Sequence, residues 1–132
     1  MKITDSIAAL LVGIKNAQMR KKNDVSVPFS NISSDILRIM KQEGFIKGYE
    51  EVTTDGKKRI IIGLMYDKQG TPRIHEIRKI SKPSIRRYTR YKDITKEKSG
   101  YGVTILSTSR GVMSDKEAQA SKIGGEMLCF IW

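Results

Sequence analysis

The stretch Gly102-Val103-Thr104-Ile105-Leu106-Ser107-Thr108-Ser109-Arg110-Gly111-Val112-Met113-Ser114-Asp115-Lys116-Glu117-Ala118, followed by Gly124-Gly125-Glu126-Met127-Leu128-Cys129, decides how the C-terminal half folds. Val103 to Leu106 is a short apolar run, which predicts a strand. Three small hydroxyls end it, and Arg110-Gly111 turns the chain. Ser114 with Glu117 three residues later forms a capping-box pattern, so a short helix starts there. The helix stops before Gly124-Gly125. Met127 to Trp132 is again apolar and reads as a final strand buried on both faces.

N-terminal to this stretch, Arg73 to Ile80 reads as a strand, Pro83 breaks the chain, and Ile85 to Tyr91 reads as a second strand. Ser99-Gly100-Tyr101-Gly102 predicts the turn into Val103. Lys68-Gln69-Gly70-Thr71-Pro72 is a polar connector and marks the lobe boundary. Before it, Ile3, Ile7, Leu10, Leu11 and Ile14 make one helical stripe, with Thr4 or Asp5 as cap and Lys15, Arg20, Lys21 and Lys22 near its end. A strand, Val25 to Val27, stops at Pro28. Ser30 caps a second helix whose apolar face is Ile32, Ile36, Leu37, Ile39 and Met40, and Gly44 ends it. Phe45 to Val52 and Arg59 to Met65 form a hairpin around Asp55-Gly56. The expected fold class is α+β in two small lobes. Residues 1–66 form an α-β-α-β-β sandwich, and residues 73–132 form a mostly β lobe with one short helix.

The 132 residues carry a net charge of +11, with 39% hydrophobic residues. A charge of that size repels itself, and its usual counterpart is a polyanion. The charge is uneven. Residues 73–98 hold ten Lys and Arg against three Asp and Glu, whereas residues 99–132 hold three of each sign. No apolar run is long enough to span a membrane. The opening Met1 to Asp5 lacks the order of a signal peptide. One cysteine, Cys129, excludes an intrachain disulfide and fits a reducing cytoplasm.

Catalysis finds little support. His75 is the one histidine, in a charged setting, and no nucleophile-elbow glycines surround a serine. Cys129 lies in an apolar strand, where a thiol is inert. One Cys and one His do not make a zinc site, and no phosphate-cradling glycine loop is present. No cofactor is expected. The chemistry-bearing features are instead a basic stretch and a run of hydroxyls. Arg86-Arg87-Tyr88-Thr89-Arg90-Tyr91-Lys92 pairs guanidinium forks for phosphate with tyrosines for stacking. The bland reading of the same stretch is a solvated edge strand kept from aggregating by its charge. Ser107-Thr108-Ser109 offers uncharged donors and acceptors, suited to base edges and ribose hydroxyls. The bland reading there is a strand end followed by a turn. Gly100-Tyr101-Gly102 is similar to one strand of the RNA-recognition motif. Val103 stands where that motif needs an aromatic, however, and the strand–helix–strand order is missing.

The segment from Gly102 to Cys129 closely resembles the signature of the small-subunit ribosomal protein eight family in its bacterial form. Lys79-Ile80-Ser81-Lys82-Pro83, Thr4-Asp5-Ser6-Ile7-Ala8, Asn16 and Glu43-Gly44-Phe45-Ile46 extend the resemblance over the whole chain. Ser84 departs from it, because the family often has glycine there. The resemblance implies a non-enzymatic, cytoplasmic protein of the small ribosomal subunit. Such a protein binds the central domain of small-subunit ribosomal RNA directly and helps assembly. It implies that Ser107, Thr108 and Ser109 read an irregular RNA helix, with the Gly124-Gly125-Glu126 loop packed beside them. Tyr88, Arg86 and Arg87 would line the same face. The N-terminal lobe would touch a second RNA element near Thr4, Asp5 and Asn16. Expected partners are that RNA, neighbouring small-subunit proteins (ribosomal proteins five and twelve as candidates) and the message of its own operon, with no membrane and a monomeric free state. The alternatives are a dedicated translational repressor acting on an mRNA mimic of the ribosomal site, and a basic adaptor for acidic proteins or anionic membranes.

Overall fold

The computed structural model describes the backbone of residues 3–94 and 102–132, with side chains from Ser6 onward. The expected cap at Thr4 or Asp5 and the turn at Ser99-Gly100-Tyr101 lie outside the described residues. The chain divides into two compact units, Met1–His75 and Glu76–Trp132. The fold is α+β, with a mostly β second unit that carries one short helix.

In the first unit, helix α1 spans Ile3–Met19, strand β1 Asp24–Pro28, helix α2 Asn31–Gln42, β2 Ile46–Thr54 and β3 Lys57–Leu64. The apolar stripe of α1 is buried at Ile7, Leu10, Leu11 and Ile14. Ser30 caps α2 as the spacing predicts, its hydroxyl accepting from the Ser33 N–H at 3.1 Å. Strand β3 sits in the middle of an antiparallel sheet ordered β1-β3-β2. Its alternate residues Ile60, Ile62 and Leu64 are buried, as are Ile36, Leu37, Ile39 and Met40 of α2. The β2–β3 turn has positive φ at both Asp55 (52°) and Gly56 (75°), the twist a two-residue hairpin requires.

The connector is a closed turn within this unit. The Asp67 carboxylate accepts from the Gln69 N–H at 2.8 Å and the Thr71 N–H at 2.9 Å. Tyr66 and Pro72 bridge across its base. These bonds, Thr71 first, hold the Asp67 carboxyl below the usual carboxylate range.

The second unit is a five-stranded sheet built around one strand. Strand β4 spans Ile77–Lys79, β5 Tyr88–Thr89, β6 Val103–Thr108, β7 Gly111–Ser114 and β8 Gly125–Ile131. β8 pairs with β6 on one side, and with β4 and then β5 along the other. Two strands are shorter than the sequence predicts. The expected strand Arg73 to Ile80 is reduced to β4, because the Arg73 N–H bonds Met65 and the Ile74 carbonyl accepts from Gln18, both in the first unit. The expected strand Ile85 to Tyr91 is reduced to β5. Ser81 takes the Arg87 N–H, Lys82 and Ile85 bond each other around Pro83-Ser84, and a 3-10 turn begins at Tyr91. Strand β7 is not predicted by the sequence, which places only the turn at Arg110-Gly111 and the cap at Ser114 there. Its four residues pair with β6 through Ile105↔Ser114 to Thr108↔Gly111.

Helix α3, Asp115–Ala120, starts at Ser114, whose hydroxyl accepts from the Glu117 N–H at 3.2 Å. Its Ala118 packs with Leu106, Met113 and Ile94 against one face of the sheet. Cys129, Phe130 and Ile131 of β8 are fully buried, as a doubly covered strand requires. The start of β8 depends on two absent side chains. A Cβ on Gly124 would lie 2.2 Å from the Thr89 carbonyl oxygen of β5, and a Cβ on Gly125 2.2 Å from the Ser107 carbonyl oxygen of β6. Any side chain there must push the neighbouring strands apart.

Gly125→Ala therefore forces the β6 backbone to move, an overpacking effect of about 1–3 kcal/mol or more. Urea unfolding should show a lower midpoint with loss of native amide protection in β6, and an unchanged midpoint would contradict the contact. Asp67 has a lowered folded pKa, so its contribution is fully present above the ordinary carboxylate pKa and is lost as pH falls through the lowered value. Asp67→Ala should therefore lower the thermal midpoint at pH 7, and the gap from the unaltered protein should close in strong acid. A gap that widens with acid would reverse the sign.

Candidate nucleic-acid interface

Strand pairing assembles the site from four different strands. Ser107 of β6 lies opposite Val112 of β7 on one side and Glu126 of β8 on the other, and Glu126 lies opposite Tyr88 of β5. Directly paired residues project to the same face of a sheet. Tyr88, Glu126, Ser107 and Val112 therefore form one continuous cross-strand row. Tyr88 is an exposed aromatic, at 69% of its free surface, so its ring is offered to a partner rather than to the core.

The hairpin that closes β6 onto β7 sets the edge of this row. The Thr108 hydroxyl donates to the Gly111 carbonyl at 2.7 Å and accepts from the Arg110 N–H at 3.1 Å. Its proton is thus committed to the turn. Gly111 takes the positive φ, 106°, that returns the chain, which leaves Ser109 and Arg110 exposed at the tip. The tripeptide accordingly divides. Ser107 presents a half-buried hydroxyl on the row, Thr108 builds the hairpin, and Ser109 presents an exposed hydroxyl at its tip.

The electrostatics of the row are local. The Arg86 Nη1 lies 3.0 Å from the Glu126 Oε2, whose side chain is only 13% exposed. A carboxylate so shielded needs a partner, and Arg86 supplies it. The row is therefore close to neutral despite the charge of the chain. Gly124 and Gly125 let the neighbouring strands approach closely beside the row. Arg87 departs from the expected arrangement. It precedes Tyr88, its carbonyl accepts from the Met127 N–H at 2.8 Å, and it lines a cavity with Thr104 and Met127. Those two residues alternate with Ser107 and Glu126 along β6 and β8, so they lie on the opposite face.

Ser81 escapes a reading of the sequence for function. Its side chain is buried at 1% exposure, accepts from the Arg87 N–H at 3.0 Å, and fixes the start of the basic stretch. The signal that could have found it is a serine just before the Lys82-Pro83 turn and six residues before the arginine. The other expected residues belong to the first unit. Asn16 is exposed on α1, and the side chains of Thr4 and Asp5 lie outside the described residues.

Other chemistry has little to work with. Burial pushes the Cys129 thiol up to about 12, so no thiolate forms near neutral pH. Among the described residues no group of three His, Cys, Asp or Glu is placed to hold a metal ion. No helix among them is long and apolar enough to cross a membrane.

Known proteins agree with this chain along its whole length. Residues 5–132 match the family described as Ribosomal protein S8. The small ribosomal subunit protein uS8 of Mycoplasmopsis pulmonis is 47% identical over 130 residues, covering 98% of each chain. The protein of that name from Thermus thermophilus is 46% identical over 137 residues, covering 98% of this chain and 99% of its own. The one from Clostridioides difficile is 43% identical over 133 residues, covering 100% of both. Near-complete coverage at such identity leaves one conclusion: this chain belongs to the ribosomal protein S8 family.

Proposed function

We propose that the chain binds the central domain of small-subunit ribosomal RNA directly, through the Tyr88–Glu126–Ser107 row and the Ser109 tip, and thereby helps the small subunit assemble. The family is a structural, non-enzymatic one of the small ribosomal subunit, and this chain is not an enzyme. The observation that carries the proposal is the row itself. Two strand pairings, β5 with β8 and β6 with β8, bring an exposed tyrosine, a neutralised carboxylate and a serine side by side on a sheet face.

The chemistry divides between two kinds of group. Hydroxyls at Ser107 and Ser109 are directional and uncharged, so they distinguish one RNA shape from another more than they add raw affinity. Tyr88 offers a ring for stacking on an unpaired base. Arginine and lysine of residues 73–98 neutralise phosphates and hold any RNA. The first unit, with Asn16 on α1, contributes a second and weaker contact.

Filter binding separates the two kinds of group. Purified protein is titrated with small-subunit RNA and with an unrelated RNA of similar length across a salt series. Ser109→Ala should lose roughly 1–3 kcal/mol for the ribosomal RNA alone, the scale of one directional contact. Arg87→Ala should weaken both RNAs about equally and flatten the salt dependence. If Ser109→Ala keeps full discrimination, the hairpin tip does not choose the target.

A further inference from the structure

The sheet of the second unit has a second face, and that face carries its own site. Arg78 of β4 lies opposite Phe130 of β8, which lies opposite Thr104 of β6. This row is on the side turned away from Ser107 and Glu126. A cavity of about 340 Å³ opens there, lined by Arg78, Lys79, Lys82, Arg87, Thr104 and Met127, with Ile80 and Ile85 completing it. Four of its eight lining residues are cations and none is an acid. Lys79, Lys82 and Arg87 have no carboxylate partner among the described residues.

Thr104 supplies an independent observation. It is 2% exposed, and its hydroxyl has no hydrogen-bond partner among the described residues. A buried hydroxyl without a partner destabilises the protein that carries it. By strand alternation this one falls on the cavity's face, which Arg78 and Met127 also line. Positions left unsatisfied in this way call for an explanation, and a ligand is one.

We infer that this cavity takes a single nucleotide of the bound RNA strand. Its phosphate would lie on Lys82 and Arg87, its base or sugar against Ile80, Ile85 and Met127, and a polar edge on the Thr104 hydroxyl. The volume falls within the range of small-ligand sites. Apolar walls with a few placed polar groups suit a nucleotide better than an isolated phosphate, which would leave Ile80, Ile85 and Met127 without a role. Ser81 is the positioning residue. It holds the Arg87 backbone, and the Lys82–Ile85 turn it anchors forms one wall of the cavity. The inference rests on the RNA-binding reading above and adds a second gripping point on the opposite face of the same sheet.

Thr104→Val tests it with little risk to folding, since it replaces a hydroxyl that has no partner among the described residues by a methyl of the same shape. The variant should be as stable as the unaltered protein or more so, while binding small-subunit RNA about tenfold or more weakly. Lys82→Gln should weaken binding and lower the salt slope by about one unit. The amide signals of Thr104, Lys82 and Met127 should shift when small-subunit RNA is added. Adenosine and uridine monophosphate, titrated separately, distinguish a free nucleotide from one within a strand, and polyglutamate tests an acidic protein. If both variants bind the RNA like the unaltered protein, the inference is overturned, even where a mononucleotide or polyglutamate shifts the same signals. That outcome leaves the hairpin reading intact, because Ser109→Ala is scored in the same assay. Loss of RNA binding by the unaltered protein would instead overturn both.

Discussion

Close approach of three strands at the start of β8 is the constraint on which the second unit depends. Gly124 lies against the β5 backbone and Gly125 against the β6 backbone, each at a distance no Cβ would allow. That approach draws Tyr88, Glu126 and Ser107 into one row, and it lets the Met127 N–H reach the Arg87 carbonyl. A bulge follows at once. Ile105 pairs with Cys129 but Leu106 pairs with Met127, which skips Leu128 and frees its carbonyl for the Ile80 N–H. The β8 strand is therefore tied to every segment that carries polar function in this unit, and its buried end, Cys129 to Ile131, anchors it.

The two faces of the sheet differ in their polar groups. On one face the Glu126 carboxylate is matched by Arg86, and the polar atoms left for a partner are uncharged hydroxyls and a tyrosine ring. On the other face the cations gather around a cavity that contains no acid. A long-range field from +11 charges draws any polyanion toward the protein and is screened by salt. Short, directional contacts are not screened in that way, so under the proposed function the hydroxyls would discriminate between RNAs that the field attracts alike.

Much of this is legible in the sequence alone. The stripe of α1, the Ser30 cap, the Asp55-Gly56 hairpin and the Ser114 cap each follow from local chemistry, and each stands where spacing puts it. The two shortened strands trace to bonds made outside the strand ladder. Nothing near Arg87 in sequence says that its N–H goes to Ser81, and nothing near Ile74 says that its carbonyl goes to Gln18. Both strands therefore end sooner than their residue types suggest. Strand β7 gives no signal of its own, because Gly111 to Ser114 is too short to show a period of two. The hydroxyl tripeptide is visible as a unit, but its division of labour is not. Thr108 bonds two backbone groups of its own hairpin, which depends on a turn geometry that composition does not reveal. Alternation likewise sends Arg87 to the face opposite Tyr88, although the two are adjacent in the chain.

Directed hydroxyl-radical probing shows where the hairpin tip lies on the RNA. Cys129 is buried and its thiol stays protonated, so a single iron chelate can be attached after Ser109→Cys, with Thr53→Cys in the first unit as the reference probe. The account predicts that iron at position 109 cleaves one compact, irregular region of the central domain of naked small-subunit RNA, and that this cleavage survives salt high enough to remove nonspecific binding. Cleavage scattered along the RNA, or a pattern that fades with salt as fast as binding to unrelated RNA, would contradict it.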